Sequence, residues 1–140
     1  MPLTMSPAER VEFLAGVHVG VLSVASADGG GPLAVPVWYT YRPGGTVNVS
    51  TGRGTRKARA IQAAGRFSLC AQDEQPPYKY VTVEGPAVVE DATDAERLEL
   101  ARRYLGPEGG DAFIAANPDA DQVMVRMTPE RWLTADFGRE

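Results

Sequence analysis

Three runs rich in β-branched and aromatic residues follow one another between His18 and Thr51, with only glycine-rich reversals between them. The first, His18–Ser26, ends at Ala27-Asp28-Gly29-Gly30-Gly31, where glycine supplies the left-handed backbone of a hairpin. The second, Leu33–Tyr41, holds Val35, Val37, Trp38, Tyr39, Thr40 and Tyr41, all favourable on a pleated surface, and stops at Arg42-Pro43-Gly44-Gly45. A second hairpin then leads into Thr46–Thr51. Spacing this tight predicts antiparallel neighbours, not the strand-helix alternation of a doubly wound sheet.

The rest of the chain fills out the same plan. Phe67–Gln72 alternates apolar with smaller or polar residues, as a half-buried strand does. Tyr80–Glu90 is the longest strand candidate, and Gly85-Pro86 inside it demands a bulge or an edge. Gln122–Thr128 and Arg131–Ala135 read as two closing strands around Pro129. Helices stand outside the main strand run. Ser6-Pro7-Ala8-Glu9 is a capping box that starts a helix running to about Ala15. Arg56–Ala64 places Ala58, Ile61 and Ala64 at helical spacing and stops at Gly65. Thr93 and Glu96 form a second capping box for a helix to Leu105 with Leu98, Ala101 and Leu105 on one face, ended by Gly106-Pro107; a short helical piece follows at Asp111–Ala116. Six or seven strands with three helices predict a mainly β fold with peripheral helices, a small antiparallel barrel in one domain spanning residues 1–140.

Bulk properties remove several classes of function. A chain of 140 residues, 44% hydrophobic, supports one sizeable core. One cysteine, Cys70, makes no internal disulfide, and with a single histidine it builds no Cys/His metal cluster, so no metal site is expected. No apolar run reaches the roughly 18 residues that cross a bilayer, and Met1–Ser6 lacks an export-signal pattern; a cytoplasmic protein without membrane contact is expected. The net charge of -4 argues against nucleic acid as a partner.

Against that acidic background the stretch between Asp28 and Asp73 has no acidic residue but holds six of the 14 Lys and Arg, four of them in Arg53-Gly54-Thr55-Arg56-Lys57-Ala58-Arg59. The cluster lies between a strand and a helix. A helix N-terminus offers free N–H groups and positive potential, Ser50, Thr51 and Thr55 offer hydroxyls, and guanidinium grips phosphate oxygens in pairs. Thr55, Arg56 and Lys57 together therefore read as a phosphate site. Arg59 and Arg66 read as cations of a solvated helix face. Gly52-Arg53-Gly54 is neither a P-loop, which ends in Gly-Lys-Ser/Thr, nor a Rossmann turn.

No catalytic residue is assigned. His18 opens an apolar strand and reads as a structural histidine, and Cys70, between Leu69 and Ala71, reads as a small hydrophobe. A chain without acid, base or nucleophile constellations performs chemistry when a cofactor carries the difficult step.

The order of motifs resembles the pyridoxamine 5'-phosphate oxidase-like superfamily of split β-barrels, with its FMN-binding-like fold, and within it the flavin/deazaflavin oxidoreductases of the B group. The resemblance is carried by Gly20-Val21-Leu22-Ser23-Val24, Pro36-Val37-Trp38-Tyr39, the Thr51–Ile61 segment, Pro77–Pro86 and Ala101-Arg102-Arg103-Tyr104-Leu105-Gly106, which between them reach across nearly the whole chain. It implies a homodimer with the cofactor in a groove at the subunit interface. It implies that Thr55, Arg56 and Lys57 hold the cofactor phosphate, that Pro36, Val37 and Trp38 lie along the tricyclic ring, and that Tyr78 and Lys79 border the ring and the open substrate side. Ser50, Thr51 and Gln72 are further cofactor positions by the same resemblance. Because a strand alternates faces, only one of Val37 and Trp38 turns its side chain to the ring.

Trp38-Tyr39 and the Arg56-Lys57 pair are similar to members that use the deazaflavin coenzyme F420, and the tail Pro129–Phe137 lacks the Arg-rich substrate motif of true pyridoxamine phosphate oxidases. The implied activity is that of an F420-dependent oxidoreductase, a reductase that passes a hydride from reduced F420 to a small conjugated or unsaturated organic acceptor. The alternatives are an FMN-dependent oxidoreductase of the same fold and a non-catalytic carrier of deazaflavin or tetrapyrrole.

Overall fold

The computed structural model describes residues 3–118 and 121–139. In chain order it contains α1 (Pro7–Ala15), β1 (Gly20–Val24), β2 (Leu33–Val37), β3 (Val47–Gly52), α2 (Arg56–Ala64), β4 (Arg66–Asp73), β5 (Lys79–Asp91), α3 (Asp94–Ala116), β6 (Gln122–Met127) and β7 (Arg131–Asp136). Both expected capping boxes form, Ser6 with Glu9 and Thr93 with Glu96, and Gly65 closes α2 in the left-handed region at φ 71°. Among the described residues no helix is long and apolar enough to cross a membrane.

The seven strands form one antiparallel sheet in the order β2-β1-β4-β5-β6-β3, with β7 also paired to β5. β5 is the hinge of this curled sheet. Its Lys79–Glu84 stretch lies between β4 and β7, whereas Ala87–Asp91 pairs with β6. The change of partner falls at Gly85-Pro86, where Thr128 N–H donates to Pro86 O at 2.9 Å and Glu130 N–H to Glu84 O at 2.8 Å. A Cβ on Gly85 would overlap the Thr128 carbonyl oxygen, so glycine is what allows the β6–β7 link to pass. Inner faces of the strands fill the core, with Leu22, Leu69, Val81, Val83, Val49 and Val125 all at most 1% exposed. Ile61 from α2 and Leu14 from α1 close it. This is a mainly β fold with helices packed around it, the split β-barrel architecture.

Two local expectations are corrected. The second strand ends at Val37 instead of Tyr41, and the expected second hairpin is reduced to one bridge, Thr40 to Asn48. The cause is Tyr104, whose hydroxyl accepts from Tyr39 N–H at 3.0 Å, so this backbone donor is not free for a ladder. The buried face of α3 carries Arg97, Leu100 and Ala101, while Leu98 is half-buried and Leu105 is exposed. Cys70 is half-buried on the outer face of the sheet, opposite Val21 and Thr82, because strand alternation sends Leu69 and Ala71 inward.

Candidate functional site

α2 begins just after β3, and the turn between them decides which of the clustered cations are available. Gly54 takes φ 78°, which lets Thr55 cap the helix by accepting from Ala58 N–H at 3.2 Å. Thr51, 5% exposed on the inner face of β3, shares a 3.2 Å hydrogen bond with Thr55. Both hydroxyls thus hold the turn together. Arg53 reaches Asp91 at 2.5 Å and Asp121 at 3.0 Å, and these two carboxylates raise its pKa and neutralise it. Arg56 is exposed at the first helical position. Lys57 is half-buried, makes no ion pair among the described residues, and has its pKa lowered by the loss of water around the amine.

A second wall comes from the end of β2. Val37 points into the core at 7% exposure, whereas Pro36 is exposed and Trp38 half-buried, so Trp38 rather than Val37 presents its side chain to the groove. Trp38 stacks on Tyr104 with ring centroids 5.0 Å apart and planes 5° from parallel, and Phe113 packs against it at 5.8 Å. Tyr104 is itself fixed by donating to His18 O at 2.6 Å. The neighbouring Tyr39 phenol donates to Leu14 O at 2.7 Å, and burial together with Tyr104 pushes its pKa up, keeping it a neutral donor. His18 stacks on Phe13 and donates Nε2 to Phe13 O at 2.9 Å, a structural role.

α3 delivers Tyr104 and Phe113 to the same tryptophan because it is a helical hairpin. Its helix breaks at Gly106, with φ 80° and ψ 170°, and the two halves return alongside each other. Gly110 makes this possible, since a Cβ there would lie 2.7 Å from Arg102 Cα. Arg102 pairs with Asp111 at 2.6 Å across the two halves. Deeper in, Arg97 is 8% exposed and donates to Asn117 O at 3.0 Å; the one carboxylate within 4.0 Å among the described residues is that of fully exposed Asp94.

These walls enclose a cavity of about 510 Å³. Of the eleven cofactor positions expected from sequence, five line it: Pro36, Val37, Trp38, Ser50 and Lys57. Ser50 faces it because alternation on β3 turns Thr51 inward, and its hydroxyl donates to Gln122 Oε1 at 3.0 Å. Thr51, Thr55 and Arg56 lie at the helix start beside Lys57 and are not part of the lining. Gln72, Tyr78 and Lys79 are not brought to this cavity. Gln72 is exposed on β4, Tyr78 is 55% exposed in the β4–β5 turn, and Lys79 borders a separate cavity of about 330 Å³ beside Phe13. The sequence reading missed Arg97 and Phe113 of α3 and Asn117, the residue that caps its C-terminus. Arg97, a charged residue next to Leu98 in a helix with charges on both sides of it, carries no signal of its own.

The chain matches the family model described as Pyridoxamine 5'-phosphate oxidase over residues 6–136. Among solved structures it is similar to a conserved hypothetical protein from Mycobacterium tuberculosis, with 22% identity over 96% of this chain and 87% of that one and a TM-score of 0.77. A protein named F420 Reductase shares 24% identity over 87% of this chain and 94% of its own, with a TM-score of 0.70. A FAD-binding protein from Mesorhizobium loti shares 22% identity over 93% of this chain and 94% of its own, with a TM-score of 0.62. No curated protein matches.

Proposed function

The chain belongs to the pyridoxamine 5'-phosphate oxidase family, and from that premise we propose that it is an oxidoreductase that uses reduced coenzyme F420 to pass a hydride to a small conjugated or unsaturated organic acceptor. The observation that carries this reading is the cavity itself, lined by both Trp38 and Lys57 and, among the described residues, by no acidic side chain. That donor set suits a flat aromatic ring tied to an anionic stalk. The similarity to a protein named F420 Reductase favours the deazaflavin, and the similarity to a FAD-binding protein keeps FMN as the second reading.

The cofactor supplies the hydride; the chain binds, orients and excludes water. Lys57 holds the phosphate from the cavity lining, with the N–H groups that open α2, where a helix has no intrahelical acceptors to offer, and Arg56, exposed at the first helical position, adds its charge from outside the lining. Pro36 and Trp38 give the ring its apolar support, and the Tyr104 stack keeps the Trp38 plane fixed, so that the ring meets one surface in one orientation. Phe113 and Leu100 keep the wall apolar, which strengthens the charge contacts inside.

A homodimer completes the site. Across the outer sheet face Pro36, Val21, Cys70, Thr82 and Leu133 are register neighbours, and Val21 and Leu133 stand 42% and 63% exposed. This row begins at Pro36 on the cavity rim, so a second copy seated on it brings Gln72, Tyr78 and Lys79 to the ring from the other subunit. The test is a side-by-side titration of the purified protein with F420 and FMN, followed by oxidation of reduced F420 against a panel of acceptors. Tight F420 binding with acceptor-dependent oxidation is expected. Preferential FMN binding would replace the cofactor assignment, and binding without any accelerated oxidation would make the protein a carrier.

A further inference from the structure

Arg97 is the charged group that the reading above leaves unused. It is nine-tenths buried and lines the same cavity as Lys57, yet among the described residues the cavity lining holds no carboxylate, in a chain that carries 18 acidic residues against 14 basic ones. The absence is therefore one of placement rather than supply. Burying a guanidinium is costly unless it is paired, and Arg97 spends one donor on the Asn117 carbonyl while its only carboxylate neighbour among the described residues, Asp94, is 4.0 Å away and in water. Bracing the α3 hairpin needs only a neutral donor at that spot. A full positive charge there is explained by an acid that arrives with the ligand.

We propose that Lys57 and Arg97 bind two acidic groups of one ligand, so that the cavity is built for a cofactor whose phosphate is followed by a second anion. The proposal rests on the reading of the cavity as the cofactor site and narrows it to a ligand of at least two acidic groups. FMN carries one phosphate; F420 carries a phosphodiester and carboxylates beyond it.

The experiment is a titration of wild-type protein, Lys57→Gln, Arg97→Gln and Arg97→Lys with both cofactors, with circular dichroism to confirm the fold. Glutamine at position 97 keeps a donor for the Asn117 carbonyl and removes only the charge. Arg97→Gln is expected to weaken F420 by about 10- to 100-fold, and by a factor at least about ten greater than it weakens FMN. Arg97→Lys recovers most of that loss, and Lys57→Gln weakens both cofactors. Equal losses for the two cofactors, or none, would reduce Arg97 to a brace and overturn the proposal. Should the wild type bind neither cofactor, the functional reading fails while this inference is still decided with inorganic probes. A preference for tripolyphosphate over orthophosphate that Arg97→Gln abolishes supports it, and the absence of such a preference sinks it.

Discussion

Replacing Tyr104 by Phe removes one oxygen and nothing else, and that oxygen ties three parts of the site together. The hydroxyl accepts from Tyr39 N–H at 3.0 Å and has one hydrogen to give, which goes to His18 O at 2.6 Å in preference to Tyr39 O at 3.1 Å. Two hydrogen bonds are lost, each worth about 1 kcal/mol net. Tyr39 is fully buried, so its N–H is left without water or partner, which brings the total to about 2 to 4 kcal/mol. The Trp38 stack survives because the ring remains. Urea unfolding should show a lower midpoint at unchanged slope, while cofactor affinity falls far less than stability. A companion Tyr104→Leu loses the stack as well and should cost roughly 0.5 to 1.5 kcal/mol more. A change below about 0.5 kcal/mol for Tyr104→Phe, the range of an inert surface substitution, would refute the argument that this hydroxyl ends β2.

Further outcomes follow from the same geometry. Loss of water lowers the Lys57 pKa in the free protein and a bound phosphate raises it, so binding takes up a proton and affinity falls as pH rises through the free-state value; calorimetry in buffers of different ionisation enthalpy reads that uptake directly. Gly85→Ala meets the Thr128 carbonyl and should destabilise by at least about 1 to 3 kcal/mol in a thermal melt. Val21→Asp combined with Leu133→Asp should convert a dimer to a folded monomer in sedimentation and weaken cofactor binding with it, whereas an unchanged dimer would place the interface elsewhere. Glu96 would be raised by burial alone, but hydrogen bonds from Thr93 and Arg126 hold it below the usual carboxylate range; its stabilisation is present above the unfolded value near 4.5 and lost as pH falls below it, so Glu96→Gln should flatten the acid limb of a stability profile.

What was legible in the sequence was local chemistry. A capping box is four residues long and a left-handed C-cap is one, so Ser6, Thr93, Gly65 and Gly106 announced their turns without help from the rest of the chain. Trp38-Tyr39-Thr40-Tyr41 has equally strong strand propensity and still does not continue the ladder. Its backbone partner is a side-chain hydroxyl 65 residues away, and propensity does not report on competitors so distant. The face of α3 was misread for a related reason. Helical period allows Leu98 or Leu100 to face inward, and the choice falls to the hairpin that closes where Gly110 meets Arg102.

The site shows how charge read along a sequence differs from charge in space. Arg53, Arg56, Lys57 and Arg59 form one cluster on paper, but β5 and the segment entering β6 bring Asp91 and Asp121 onto Arg53, 38 and 68 positions away, while helical geometry turns Arg56 and Arg59 to solvent. Lys57 alone of the four reaches the cavity, and its companion there, Arg97, comes from an apolar helical face with Asp94 and Glu96 close by in sequence. Those two acids are drawn elsewhere: Glu96 binds Arg126 at 2.7 Å and the Thr93 cap, and Asp94 points into water. Among the described residues, the positive charge of the cavity is therefore made by keeping carboxylates out of its lining. Restoring one, as in Ala101→Asp on the lining, should abolish anion binding even though every cation stays in place.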